Sequence, residues 1–275
     1  MQQEIHLSFE SSNGAFSIKN VKGKLVFVKN YLLKHKKIHK VLEKFVEIER
    51  RTLSILNISQ PDELIKKGFK KQKENLKEII EKEVKTNRLW IENGILTPQI
   101  LNYDSTSLTS EFIPSKTFHE LINGKYQPVL LKDMFAAYQA IREKALSKND
   151  PYLLHLDPHS KNFLRTEVGD IYAIDSSFLL KKGVDTKTAD SIVNGLFLLQ
   201  LENLNSDSEI FAANVEYCKK LFGADIKKTE LPRLKECASF YYKTREKIVH
   251  KIKRRSYSFD ESPFKNYNIL RKILS

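Results

Sequence analysis

His155-Leu156-Asp157-Pro158-His159-Ser160-Lys161-Asn162 is the stretch whose reading decides this chain. It places a carboxylate, Asp157, five residues before an amide, Asn162. A second acid, Asp175, follows Asn162 by 13 residues, at the end of the apolar run Ile171-Tyr172-Ala173-Ile174. Asn162-Phe163-Leu164 and that run are strand candidates separated by the turn Val168-Gly169-Asp170, so a hairpin would carry Asn162 and Asp175 on neighbouring strands. An amide oxygen and a carboxylate are hard donors of the kind magnesium takes, with phosphate and water completing its shell. Asp157, on the loop leading into the hairpin, is placed to act as a base toward an acceptor hydroxyl. These are the groups that phosphoryl transfer requires.

Upstream of this stretch the periodicity changes from strand to helix. Residues 4–30 read as three strands in a meander. Ile5, Leu7 and Phe9 alternate with polar residues, and Ser11-Ser12-Asn13-Gly14 is turn chemistry. Phe16 and Ile18 alternate again, Lys22-Gly23-Lys24 marks a tight turn, and Val26-Phe27-Val28-Lys29 forms a third strand. Residues 31–93 read as helix, broken near Asn57–Asp62, with Leu76, Ile79, Ile80, Val84, Leu89, Trp90 and Ile91 as its later stripe. Asn93-Gly94 ends it. A hairpin follows: Ile100–Tyr103, a polar turn over Asp104–Ser107, then Leu108–Ile113. Helices are expected at Val129–Leu146, 186–204, 207–222, 229–254 and 264–274. Strands plus one long helical stretch, then helices around a small hairpin, predict two lobes joined near residue 111.

The composition bounds the remaining possibilities. With 275 residues and 41% hydrophobic content the chain can bury one large core or two small ones. Nine glycines and eight prolines are too few for a fibrous or low-complexity protein. Lys and Arg exceed Asp and Glu by 47 − 34 = 13, which favours anionic partners without choosing among nucleic acid, membrane and phosphorylated substrate. Cys218 and Cys237 lie on apolar helical stretches and read as buried thiols in a reducing compartment. Seven histidines and these cysteines show no zinc spacing. Residues 1–12 lack a basic start followed by an apolar run, so no secretory leader is expected. No apolar run approaches the ~20 residues that span a bilayer. A cytoplasmic protein, resting at most on a membrane surface, is the expectation.

The pattern H-x-D-x-x-x-x-N with a later Asp resembles the catalytic loop of the protein-kinase-like fold. That resemblance implies an α+β, bilobal architecture: a small antiparallel β-sheet N-lobe (1–110) and a mainly helical C-lobe (111–275). It implies Asp157 as base, Asn162 and Asp175 as Mg²⁺ ligands, and ATP as phosphoryl donor. An N-lobe of this kind needs a lysine on its third strand, paired with a glutamate from the following helix. Lys29 and Glu83 fill those positions, with Glu78, Glu81 and Glu92 as neighbouring candidates. Within the fold, the chain is most similar to the lipopolysaccharide-core heptose and Kdo kinases, with small atypical kinases of tRNA threonylcarbamoylation as further relatives. Their glutamate helix runs into a Gly-Ile/Val-x-x-Pro turn, here Gly94-Ile95-Leu96-Thr97-Pro98. Their loop resembles G-D-P-H-x-x-N-F, here Leu156-Asp157-Pro158-His159-Ser160-Lys161-Asn162-Phe163, and their I-D-L-S is matched by Ile174-Asp175-Ser176-Ser177. The basic end from Tyr242 to Arg255 is similar as well. The likeness covers roughly residues 10–255.

The resemblance further implies adenine contacts along the Glu111–Ile113 backbone and phosphate contact at Gly14. The chain departs from protein kinases in having no G-x-G-x-x-G, only Gly14 in the nucleotide-covering turn. It has no A-P-E segment or long activation loop. Leu156 stands where Gly or Arg is usual, and Ser176-Ser177 where protein kinases carry Phe-Gly. His155 reads as a brace for the loop. His159 could touch acceptor or phosphate, and Lys161 could neutralise the transferring phosphoryl group. Asp190 reads as the cap of the next helix or as a hold on the loop backbone. The basic run Lys243–Arg255 reads as a helical face able to meet an anionic membrane. The acceptor expected is an anionic sugar or glycolipid; nucleic acid is a weaker fit. A kinase or ATPase linked to RNA modification, and a nucleotide-binding scaffold without catalysis, are the alternatives.

Overall fold

A computed structural model describes residues 7–11, 14–31, 76–124, 128–175, 180, 183–201, 208–223, 269 and 272. Its first element is a meander of β1 (Leu7–Ser11), β2 (Gly14–Val21) and β3 (Lys24–Asn30). The β2–β3 connection has two residues, with Lys22 at φ 52° and Gly23 at φ 82°. Both lie in the left-handed region, the turn whose twist matches the flanking strands, and glycine is the residue that adopts it without strain. Asn20 Oδ1 accepts the Gly23 N–H at 2.9 Å and fixes this turn.

The meander is the start of an antiparallel five-stranded sheet in the order β1-β2-β3-β5-β4. Its other strands are β4 (Ile100–Tyr103) and β5 (Ser107–Glu111). Asp104 closes their turn, accepting the Thr106 and Ser107 N–H groups at 2.7 Å each. Those bonds hold its exposed carboxyl down at about 2. Between β3 and β4 the chain supplies α1 (Leu76–Glu92). Ile80 and Val84 of α1 pack on Tyr31 and Leu108, while Trp90 enters the main core. The Trp90 indole N–H donates to the Leu153 carbonyl at 3.0 Å. Gly94, at φ 65°, ends the helix: Gly94 N–H bonds Ile91 O and Ile95 N–H bonds Trp90 O, both at 2.9 Å. This is the Schellman closure, which satisfies otherwise orphaned carbonyls.

Beyond Glu111 the chain leaves the first sheet and becomes mostly helical. β6 (Ser115–Thr117) leads into α2 (Phe118–Gly124), with Thr117 and Glu120 bonding each other reciprocally as a capping box. α3 (Pro128–Lys148), α4 (Thr186–Gln200) and α5 (Ser208–Phe222) follow. Their core is aromatic, with Tyr138 stacked on Phe197 at 4.4 Å and Phe222 edge-on to both. A polar chain runs through it. Tyr138 donates to Asn194, Asn194 to Asp190, and the Arg142 guanidinium reaches both Asp190 oxygens, at 2.6 and 2.9 Å. β7 (Phe163–Thr166) and β8 (Ile171–Ala173) form with β6 a second, three-stranded antiparallel sheet in the order β6-β7-β8.

The structure is therefore α+β, a small antiparallel sheet followed by mostly helical segments. Several expectations need correction. The connection into β7 places Asn162 at the end of a 3-10 turn, Ser160–Asn162, and not in the strand. Asp190 does not cap α4; Asp185 does, accepting the Thr188 N–H at 2.9 Å. β6 joins the small hairpin as a third strand that the sequence pattern did not signal. The helices expected at 32–75 and 229–254, the one at 264–274 apart from two residues, and Cys237 lie outside the described residues, while Tyr31, expected to open the first of them, continues the extended chain of β3 and donates its N–H to Thr106 O. Among the described residues no helix is long and apolar enough to cross a membrane, and Cys218 is buried.

Burial sets the value of the Arg142–Asp190 pair. Removing one partner of a buried ion pair costs about 3–5 kcal/mol, because the charge left behind is poorly solvated. Asp190→Ala is expected to lower the unfolding free energy by about that amount in urea titration. A loss below about 1 kcal/mol would mean that solvent reaches the site.

Candidate active site

Lys29 lies on the central strand β3, two residues before Tyr31 and on the same face. Its ammonium is buried and bonds both Glu83 oxygens, at 3.2 and 3.1 Å, and Asp175 Oδ1 at 3.2 Å. Burial opposes the charge, but Glu83 and then Asp175 outweigh it and hold the amine well above the ordinary lysine range. Tyr31 completes the cluster. Its hydroxyl donates to Glu83 Oε2, and its ring lies 4.8 Å from the Lys29 ammonium. Burial first, and the Glu83 carboxylate second, push the Tyr31 phenol up, so it stays a donor.

Three distant segments thus meet. Glu83 projects from the buried face of α1, where Ile80 and Val84 fix the helix against the sheet. Glu78, Glu81 and Glu92 do not face that way; Glu78, Glu81 and Glu92 all stand at solvent-exposed positions of the same helix. Asp175 comes from just beyond β8, with φ 58°. Aspartate is among the few side chains that tolerate this left-handed backbone, and here it turns the carboxylate toward β3.

The catalytic-loop candidates form an adjoining group. His155 is fully buried, its ring 5.3 Å from Trp90 and 4.9 Å from Phe163. Its Nδ1 accepts the Asp157 N–H at 3.3 Å, so it braces the loop from beneath. Asn162 Nδ2 donates to the Asp157 carbonyl at 3.0 Å and to Asp157 Oδ2 at 3.1 Å. Both neighbours are acceptors, which only the NH₂ end of the amide can satisfy. That leaves Asn162 Oδ1 to point elsewhere. The two groups are joined by the β7–β8 ladder: Phe163 pairs with Ala173, and Ile174 N–H donates to the Asn162 carbonyl at 3.0 Å. Asn162 and Asp175 therefore stand at the same end of neighbouring strands.

Asn162 and Asp175 offer one amide oxygen and one carboxylate. Among the described residues no group of three or more His, Cys, Asp or Glu could hold a metal. A two-donor set of hard oxygens suits an ion that takes its remaining ligands from phosphate and water, as magnesium does. It does not suit zinc, which needs three or four protein ligands.

The remaining candidates are placed as follows. Gly14 opens β2 at the end of the sheet where Phe16 pairs with Lys29. Glu111 ends β5 opposite Val26; its N–H donates to Gln99 O, and its carboxylate accepts the Gln99 N–H. Ile113 follows in the connection to β6, where its carbonyl accepts from the Ser115 hydroxyl at 2.9 Å. His159 opens the 3-10 turn and faces Asp157 Oδ2 at 3.3 Å. Lys161 is exposed on that turn. Tyr31 lies one residue past β3 and was not signalled by the sequence, in which residues 31–93 read as helix.

No family model matches the chain, and no curated protein matches it either.

Burial pushes the His155 imidazole from 6.5 down to about 4, although Asp157 pulls the other way. The imidazole is thus neutral when folded. Its contribution to stability is whole above the unfolded value of 6.5 and is lost as the pH falls toward 4. The shift corresponds to about 3 kcal/mol at most. His155→Phe, which stays neutral at every pH, is expected to show a shallower stability decline than the parent between pH 6.5 and 4, the two ends of that shift. Equal slopes in denaturant unfolding would show that His155 charges freely.

Proposed function

We propose that this chain is an ATP-dependent phosphotransferase of the protein-kinase-like fold, acting on an alcohol. Residues 1–110 would form the nucleotide-covering lobe and residues 111–275 the helical lobe, with the Glu111–Ile113 connection between them. The observation that carries the reading is the buried Lys29 ammonium bonded to two carboxylates, Glu83 and Asp175, which lie 54 and 146 residues away in sequence. A lysine so held is a fixed positive charge for phosphate oxygens, and Glu83 with Tyr31 sets where it points.

In this reading Lys29 orients the phosphates and Gly14 lets main-chain N–H groups approach them. The connection at Glu111 and Ile113 receives the adenine edge. Asn162 Oδ1 and Asp175 would hold Mg²⁺, which neutralises charge on the phosphates when bound. Asp157 takes the proton from the acceptor hydroxyl as that oxygen bonds to the γ-phosphorus. The bond from the γ-phosphorus to the bridging oxygen breaks, and ADP leaves with the electron pair. Lys161, exposed on the same turn, balances charge on the transferring group. Little else is asked of the protein, since such catalysis is mostly positioning and charge stabilisation.

The acceptor class we infer is a sugar hydroxyl on an anionic glycolipid such as lipopolysaccharide core. Two features support it: the likeness of residues 94–98 and 156–163 to the heptose and Kdo kinases, and the net charge of +13. Such an acceptor would place the protein in the cytoplasm, at the inner face of the membrane, with Lys243–Arg255 toward anionic lipid.

Labelled ATP offered with core glycolipid, a generic protein and tRNA tests the assignment. Label is expected on the glycolipid; label on protein or tRNA alone would redirect the acceptor class, and no turnover would remove the activity. Asp157→Asn is expected to lower the rate by about 10²–10⁴-fold while ATP still binds. Asp175→Asn is expected to lose the magnesium dependence of nucleotide binding, read by titration calorimetry with and without the metal.

A further inference from the structure

Asp157 has two carboxylate oxygens, and one is already engaged. Oδ2 accepts from Asn162 Nδ2 at 3.1 Å and faces His159 Nε2 at 3.3 Å. His159 is itself held in place. It opens the Ser160–Asn162 turn, and its Nδ1 accepts the Lys161 N–H at 3.1 Å. A neutral imidazole whose Nδ1 accepts carries its proton on Nε2, the nitrogen that faces Asp157. The same residue's carbonyl accepts the Asn162 N–H at 2.8 Å.

The geometry points to His159 as a positioning residue that clamps Asp157 Oδ2 and leaves Oδ1 for the acceptor hydroxyl. It acts through Asp157 and not by touching acceptor or phosphate. Asn162 alone is an incomplete anchor, because its Nδ2 also serves the Asp157 main-chain carbonyl at 3.0 Å. The last torsion of an aspartate is broad and roughly two-fold. The Asn162 amide that donates to Oδ2 and the His159 ring nitrogen 3.3 Å from the same oxygen, both set by the turn, restrict that rotation. A base must lie within hydrogen-bond reach of the proton it takes, so a loosened carboxylate lowers the rate and not the binding of ATP.

The catalytic consequence rests on the phosphotransferase reading; the tautomer and the clamp do not. Two variants separate the clamp from the cap. His159→Asn keeps an acceptor atom where Nδ1 stands but has nothing that reaches Asp157. His159→Gln carries an amide N–H as many bonds out as Nε2 but weakens the cap.

The experiment measures Mg²⁺-ATP turnover and thermal unfolding of the full chain and both variants. His159→Asn is expected to lose about 10- to 100-fold in kcat, with KM for ATP unchanged. Its Tm is expected to stay near the parent's. His159→Gln is expected to recover most of that kcat while its Tm falls by about 2–4 °C. Parent-like kcat in His159→Asn, or a His159→Gln as slow as His159→Asn, would overturn the inference. If the parent turns over no ATP, the phosphotransferase reading fails by itself, and imidazole ¹⁵N spectra decide the clamp. An Nε2-protonated His159, identified by its loss in His159→Asn and shifted in Asp157→Ala, upholds it. An Nδ1-protonated ring, or one indifferent to Asp157→Ala, overturns it.

Discussion

A buried ammonium is the constraint around which the rest of this structure is arranged. Taking a lysine out of water is costly unless opposite charge and hydrogen bonds replace the lost hydration. Lys29 receives both from Glu83 and Asp175, which come from α1 and from the end of β8. The cation therefore ties the sheet, the long helix and the second hairpin to a single point. Tyr31 takes part of the negative charge by donating to Glu83, leaving the two carboxylates and one ammonium less unbalanced than they would be alone. Any shift of α1 along its axis would separate Glu83 from Lys29, so the packing of Ile80 and Val84 on Tyr31 and Leu108 serves the polar cluster as well as the core.

The loop that carries Asp157 is held by different means. Its anchor is a neutral histidine packed between two aromatic rings, and the polar contacts within it are short-range. Charge is absent from the base of the loop and concentrated at its top. The ladder bond from Ile174 N–H to Asn162 O carries the alignment of this loop over to Asp175. The Ala173 N–H bond to the Leu96 carbonyl, at 2.9 Å, carries it on to the turn that follows α1. Loop, hairpin and helix end are thus in one hydrogen-bonded frame. That frame leaves little freedom in the relative placement of Asp157, Asn162 and Asp175.

What could be read from the sequence was local. Lys22-Gly23 and Asp104–Ser107 are turns whose chemistry is complete within four residues, so both hairpins were legible. The Asp157–Asn162 spacing and the strand before Asp175 were legible for the same reason. Glu83 shares its stretch with three other glutamates, yet Ile80, Glu83, Val84 and Asn87 share the i, i+3, i+4, i+7 stripe that faces inward. The buried Arg142–Asp190 pair was not legible: the partners are 48 residues apart, and each looks like an ordinary surface charge. Asp190, which opens an apolar stretch, reads equally as a cap or as a hold on the loop backbone. The shorter-range signal, Asp185 three residues before Thr188, was the one that the backbone used. β6 was missed since Ser115-Lys116-Thr117 has no apolar alternation; its pairing with β7 is set by tertiary contact.

The two aspartates illustrate how surroundings divide labour between identical side chains. Asp175 faces a buried ammonium at 3.2 Å, so its carboxylate is committed to a cation. In the proposed reaction that suits a metal ligand. Asp157 accepts the Asn162 amide N–H and lies 3.3 Å from the His159 ring nitrogen, both on Oδ2, and keeps Oδ1 out of that pairing. In the proposed reaction that leaves an oxygen for the acceptor hydroxyl. Exchanging the roles would require Lys29 to sit beside Asp157, and β3 cannot deliver it there while its register with β5 pairs Lys29 with Leu108. In the proposed reaction, base and metal ligand are thus distinguished by strand register and charge placement as well as by their positions in the sequence.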